Sequence, residues 1–366
     1  MRVDQMSVRL ALFVGITLGE GHALARLDFV PGSRYTSGRQ AAMGDAALSV
    51  GEDPATGLFY NPASLGKIRK TSVEPLNFTA YANSPVVERA TLKSLSATSL
   101  SAVAPTLASH PGEFSGAGGA LLPSFGFPGF ALGILMQSEM TGKANGDGTL
   151  TYRSQYQFVP TVGTGFSLLR GMLRMGYSFQ WVNQASGTAT VATTADPLGF
   201  NQGLAQGSGL SHTAGLALTI PMRFLPSLNF VARNIMGTPY RSYSAYSFTN
   251  SPSGVPATEP MTFDASFSVH PLLGKGVGME LVAVNRDMTA RSGGTLMGRM
   301  AFGTEISFRD RVFLRGGWGG GYLSAGLGLK RSGAEFSLAW YAEEVGTHTL
   351  DVLDRRYLLQ YQLRAF

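Results

Sequence analysis

Much of the chain alternates apolar with polar or small residues at a period of two. The cleanest stretch sets Leu173, Met175, Tyr177, Phe179 and Trp181 on one face and Arg174, Gly176, Ser178 and Gln180 on the other. A helix would space its apolar residues three or four apart, so this period predicts strands. Val277, Met279, Leu281 and Ala283 oppose Gly278, Glu280, Val282 and Val284, and Phe302, Thr304, Ile306 and Phe308 oppose Arg299, Ala301, Gly303 and Glu305. Leu323 to Leu329 and Ala334 to Trp340 repeat the pattern, with Lys330 and Glu335 on the wet face. Links as short as Arg309-Asp310 and Arg331-Ser332-Gly333 predict antiparallel hairpins. The Gly/Ser/Thr/Pro-rich stretches Gln184 to Leu210 and Met236 to Glu259 are expected as loops at the opposite rim. From Met43 to Ala365 the pattern accommodates roughly fourteen strands of about ten residues. Only the segment Val86 to Ala108 lacks a clean period; it reads as an external loop or a lumen plug.

The expected fold class is all-β, and the non-apolar face decides its kind. A secreted sandwich turns Lys, Glu and Asp to water. Here that face is mostly Gly, Ser, Thr and Gln with isolated Arg and Glu, and Tyr and Trp gather near strand ends, as at Tyr177, Trp181, Trp318, Tyr322, Trp340 and Tyr357. Lipid outside, a lumen inside and aromatic girdles at the interfaces account for both features. We therefore expect an antiparallel transmembrane β-barrel in the outer membrane of a Gram-negative bacterium, with outer-membrane lipid as its first partner.

The N-terminus fits that address. Arg2 and Arg9 lead into the apolar stretch Leu10 to Leu18 and then Ala23-Leu24-Ala25, the basic, apolar and small-residue order of a signal peptide, with cleavage expected after Ala25. That apolar core is far short of the ~20 residues a membrane helix needs, and no longer uncharged apolar run follows it. The expected organisation is a signal peptide over 1–25, an N-terminal segment over 26–70 and a barrel over 71–366.

Composition removes several functions. The 366 residues include no Cys, so there is no disulfide framework and no thiolate chemistry. The net charge is +6, but its cations are scattered and no aromatic platform interleaves them, which argues against nucleic acid. His22, His110, His212, His270 and His348 stand at no ligand spacing from one another or from a carboxylate, so no metal is expected. Ser211-His212 and Ser268 near His270 are chance neighbours rather than a hydrolase. We expect no enzyme and no cofactor. The inward charges Arg174, Glu280, Arg299, Glu305, Arg315 and Glu335, with Gln180, either pair across neighbouring strands or line a passage.

Near the start stand Arg39-Gln40-Ala41-Ala42-Met43-Gly44-Asp45-Ala46-Ala47, Gly51-Glu52-Asp53-Pro54-Ala55 and Phe59-Tyr60-Asn61-Pro62-Ala63-Ser64-Leu65-Gly66. Small residues allow close backbone approach, and Asn-Pro opens a turn; alone, these signal a plug or a first strand. The three motifs resemble the FadL-type outer-membrane family, and within it the PorV/PorQ-like branch. Arg233-Asn234, Gly303-Thr304-Glu305, Leu314-Arg315-Gly316-Gly317 and Leu323 to Leu329 are similar to later strands of that branch. The pattern departs at Asp45, where the family more often has Gly. The resemblance implies a fourteen-stranded barrel whose N-terminal segment, with Asn61, Pro62 and Ala63, folds inward as a hatch. It also implies passive uptake of hydrophobic small molecules through a pocket lined by Phe, Leu and Met, or, in the PorV-like alternative, an accessory barrel whose loops bind a secreted protein.

Overall fold

Strands account for most of the wall because every backbone donor and acceptor can be satisfied between neighbours, which hydrocarbon demands. The computed structural model describes residues 34–46, 48, 51, 53–89, 109–192, 202–243, 245–291, 295–344 and 353–365. The expected signal peptide, residues 90–108, His348 and Phe366 lie outside these.

An N-terminal segment with helices α1 (Gly38–Ala42) and α2 (Pro54–Phe59) and a 3-10 turn (Pro62–Lys67) precedes the wall. The wall then runs through β1 (Ser72–Asn83), β2 (Phe114–Leu121), β3 (Ser124–Phe127), β4 (Phe130–Ala144), β5 (Thr149–Leu168), β6 (Leu173–Ala192), β7 (Ala205–Thr219) and β8 (Ser227–Arg233). It continues as β9 (Thr262–Val269), β10 (Leu272–Gly274), β11 (Val277–Asn285), β12 (Met300–Phe308), β13 (Val312–Gly319), β14 (Tyr322–Arg331), β15 (Ala334–Glu344) and β16 (Leu353–Ala365). Helix α3 (Ser84–Arg89) follows β1 and takes in the start of the segment left open above, and α4 (Leu296–Arg299) precedes β12.

All neighbouring pairs are antiparallel; β16 pairs with β1, and β11 pairs with β9, which closes the sheet. β2 and β3 both pair with β1 and β4, while β9 and β10 both pair with β11, so each couple is one broken strand and the barrel has fourteen. The expected hairpins are present: between β12 and β13, Arg309 and Asp310 take positive φ, 51° and 53°, at the centre of a tight turn that Arg311 N–H closes on the Phe308 carbonyl (3.0 Å).

The alternation sorts as anticipated. Phe78, Ile134, Met136, Phe166, Met175, Phe230, Leu281, Phe302 and Leu359 are exposed on the outer face. Inward lie Asn77, Thr79, Ser178, Gln180, Asn229, Ser266 and Gln360, all buried. The wall is uneven in height. β5 and β6 have 20 residues each, whereas β8 has 7 and β9 has 8. A span needs only about 9–11 residues, so β5 and β6 rise well beyond the bilayer.

That height corrects one expectation. Much of the stretch Gln184 to Leu210 is not loop but the upper ends of β6 and β7. Above the lipid, strand pairing requires no apolar face, so small polar residues continue the ladder. The upper edge of β7, which β8 does not reach, is covered by the connection after β8: Ser208 bridges Arg241 and Ala205 bridges Gly254. The tip of this connection crosses to the outer wall, where Tyr246 stacks on Phe158 and Phe248 on Tyr156.

Candidate functional site

The N-terminal segment enters the lumen as two lobes. Each turn has its own cap. The Ser37 hydroxyl accepts from Gln40 N–H (3.1 Å), Asp53 Oδ1 from Thr56 N–H (2.8 Å) and Asn61 Oδ1 from Ala63 N–H (3.1 Å). Pro54 and Pro62 occupy first helical positions, where a missing N–H costs nothing.

Both lobes lie directly on glycines of the inward face. A Cβ on Gly176 or Gly215 would overlap the Asn61-Pro62-Ala63 backbone or the Asn61 side chain, and one on Gly317 or Gly319 would overlap Met43 and Gly44. The glycines of β6, β7 and β13 are thus a bed for a second chain, not idle turn formers.

The second lobe (53–67) is held by neutral packing and by hydrogen bonds to its carbonyls. Leu58, Phe59 and Leu65 join Leu122, Leu135, Val159 and Val182 of the wall in one buried cluster. Arg233, 6% exposed, pairs with Asp264 (2.6 Å) and donates to the carbonyls of Phe59 and Tyr60, both at 2.9 Å.

The first lobe (34–46) also packs Ala41, Ala42, Met43 and Ala46 into buried apolar clusters with the wall, and adds charge. Glu280 and Glu305 stand directly opposite each other on β11 and β12, an arrangement that repels. Arg39 reaches from α1 to both, at 2.6 and 3.0 Å. Burial works against its charge, but the two carboxylates prevail and hold its pKa above the usual arginine range. Arg315 joins from β13, pairing with Glu305 (2.6 Å) and Glu335 (3.3 Å). Arg34 pairs with Glu259 and donates to Gln180 (3.2 Å), and Tyr240 donates to the same carboxylate. Asp45 pairs with Arg286. Tyr35 donates to Asn77 and accepts from Gln360, both at 2.8 Å.

Above the first lobe, toward the long-loop end, is a chamber of about 280 Å³. Arg34, Thr36, Ala41, Gly44 and Asp45 form its floor, and inward residues of β4, β5 and β13 to β16 form its sides. No residue of the second lobe reaches it, and among its lining residues none is Leu, Ile, Val, Phe or Met. The Phe, Leu and Met pocket expected from resemblance is therefore not this chamber. Its charges are largely mutually committed: Arg356 pairs with Glu343 (2.6 Å), Asp354 (2.7 Å) and Glu139 (3.4 Å).

The residues singled out from sequence take varied places. Asn61, Pro62 and Ala63 are fully or nearly fully buried in the second lobe. Glu280, Glu305, Arg315 and Glu335 belong to the network around Arg39. Gln180 accepts from Arg34 and donates to the carbonyl of Leu58. Arg174 donates to Thr219 at 3.1 Å near the short-turn end. Arg299 lies in α4 at the rim and donates to the carbonyls of Asp287 and Thr295. None of these ten lines the chamber; Glu139, Arg153, Gln157, Glu343 and Arg356 do, and their inward parity on β4, β5, β15 and β16 was the available signal. His212 meets Tyr177 and Phe179 on the outer face, away from any site.

No family model matches the chain, and no curated protein does. Among solved structures, the CymD monoaromatic hydrocarbon channel aligns with a TM-score of 0.50 and 10% identity, over 89% of this chain and 96% of that one. The TodX deltaS2S3 mutant, also a monoaromatic hydrocarbon channel, aligns with a TM-score of 0.50 and 11% identity, over 91% and 98%. At such identity the likeness is one of fold.

Proposed function

We propose that the protein is a bacterial outer-membrane barrel for passive uptake of small, largely apolar molecules, entering from the long-loop end. One observation carries the reading: a closed barrel with an apolar outer belt has its lumen stoppered by its own N-terminal segment and keeps a chamber on the long-loop side of that stopper. An uptake barrel needs such a compartment; a structural barrel needs none. The similarity of fold to channels for monoaromatic hydrocarbons supports the same direction. One inward step below the chamber the wall turns apolar, at Leu135 and Val159, so a molecule passing onward meets Tyr35, Leu58 and Phe59 of the plug.

Charge supports the orientation. The short turns expose Arg170, Arg223, Lys275, Arg309, Arg311 and Arg331 against a single exposed acid, Asp310, with Leu169, Met222, Phe224 and Leu272 exposed beside them. Cations next to apolar side chains suit anionic phospholipid headgroups, which supports this end as the periplasmic one. The accessory role gains less support, because Tyr240, Tyr246 and Phe248 are spent on the protein's own lumen and wall.

Mass spectrometry of the folded, detergent-purified protein tests the reading. Apolar small molecules that co-purify, and are lost when the chamber is filled by Gln155→Trp, are the expected result. A barrel without small molecules but with a stoichiometric secreted partner would overturn it.

A further inference from the structure

The chamber is reached by a row of glutamines whose geometry specifies more than its volume does. Gln137 on β4 stands opposite Gln157 on β5, and Gln157 stands opposite Gln184 on β6. Gln155 lies one inward step higher, beside Glu139. Gln137, Gln155 and Gln157 line the chamber. Gln157 is 3% exposed, and its Nε2 donates to Gln184 Oε1 at 2.8 Å. That bond fixes the amide so that its own Oε1 is left over. The Oε1 atoms of Gln157 and Gln137 are both buried and accept from no protein group.

A buried acceptor without a donor costs on the order of 1–3 kcal/mol, so a wall that carries two in adjacent strands has a use for a donor. The charged lining does not supply it. Arg356 is committed to Glu343, Asp354 and Glu139, Asp45 to Arg286, and Arg34 to Glu259. A ligand that recruited one of these charges would have to break its pair; a neutral O–H donor would not. Directly beneath the row, Leu135, Val159 and Val182 are fully buried and apolar. The chamber is polar, and the apolar layer beneath it is closed by packing against the plug.

We infer that the chamber binds a small, uncharged molecule that carries a hydroxyl group, the hydroxyl donating to Gln157 or Gln137. This deepens the uptake reading and rests on it. It separates the protein from a pore that takes bare hydrocarbon, because a site built to hydrogen-bond a hydroxyl discriminates strongly against the analogue that lacks one. At about 280 Å³ the chamber is near the small end of ligand pockets, roughly 300–1,000 Å³, which suits a single-ring molecule.

The test is equilibrium binding of p-cresol and of toluene to the full-length, folded protein, by titration calorimetry in detergent and by saturation-transfer NMR. These two probes differ by one hydroxyl. The expected result is p-cresol bound at least tenfold more tightly than toluene, with the preference falling to within about twofold in Gln157→Met, which keeps the side-chain volume and removes the amide. Gln137→Met, at a less buried position, serves if Gln157→Met does not fold, and is expected to reduce the preference in the same direction. Equal binding of the two probes, or a preference unchanged in a folded variant, would overturn the inference while leaving uptake of apolar molecules standing. Failure of both probes to bind would overturn both readings.

Discussion

The two lobes of the plug rest on the same kind of glycine bed and both pack apolar side chains against the wall, but the first adds ion pairs to it. The second lobe packs Leu58, Phe59 and Leu65 into a buried apolar cluster and presents only carbonyls to Arg233. The first lobe brings Arg34, Arg39 and Asp45 to wall charges and forms the floor of the chamber. Neutral close packing gives one deep minimum and resists displacement. Ion pairs can exchange partners as a group moves, and their strength depends on what else enters. The second lobe is accordingly the stopper, and the first is the surface that a ligand of the proposed chamber would work against. The hatch expected around Asn61-Pro62-Ala63 lies on the less yielding side.

The largest effect that would break this comparison is a side chain on the glycine bed of the second lobe. Gly176→Val drives a Cβ into the Pro62 carbonyl, and neither backbone can yield cheaply. Overpacking of this kind costs about 3 kcal/mol or more. The barrel itself is expected to remain folded, with its heat-dependent gel mobility intact, while the N-terminal segment becomes open to protease and conductance in a planar bilayer rises. Retained protection of the segment would refute the bed.

Next comes Arg233→Ala, which strands Asp264 (2% exposed) and removes the donors to two plug carbonyls. Loss of one partner from a buried pair costs about 3–5 kcal/mol, to be read as a fall in the thermal or denaturant midpoint. Asp264→Asn in the same chain should restore a good part of it, since no bare carboxylate is then buried.

Arg39→Ala sharpens the contrast from the other lobe. It leaves Glu280 facing Glu305, but Arg315 still neutralises Glu305, so about 2 kcal/mol is expected, in line with a charged hydrogen bond. The distinguishing readout is rescue. Adding Glu280→Gln removes the repulsion and should recover most of the stability, whereas the same second change in the Arg233→Ala background should recover none.

The barrel was legible because its period of two is strict where lipid meets the wall: Met175, Tyr177, Leu281 and Phe302 point outward as their parity requires. Legibility failed where lipid stopped dictating the pattern, so the upper ends of β6 and β7 read as loop. The site was harder for a different reason. Arg39 and Glu280 are 241 positions apart, and only closure of the barrel fixes which inward residues face the plug. Asp45 is a middle case. Its φ of 66° is the left-handed backbone that Gly adopts most readily, and Asp tolerates it better than most residues; Asp rather than Gly here adds the carboxylate that pairs with Arg286.

The smallest effect is reserved for the residue that stood out most in the sequence. Asn61 is fully buried, yet its side chain makes one good bond, the cap to Ala63 N–H, and a long 3.4 Å contact to the carbonyl of Leu48. Asn61→Ala should then cost about 1 kcal/mol, the value of an N-cap, without opening the lumen. Asn61→Ser, which keeps a capping oxygen, should recover about half of that. Asn61→Asp places a charge without a cation beside it in the same buried position and should cost several times more. If Asn61→Ala instead raises conductance as Gly176→Val is expected to do, this side chain and not the glycine bed latches the second lobe, and the stopper must be regarded as a gate.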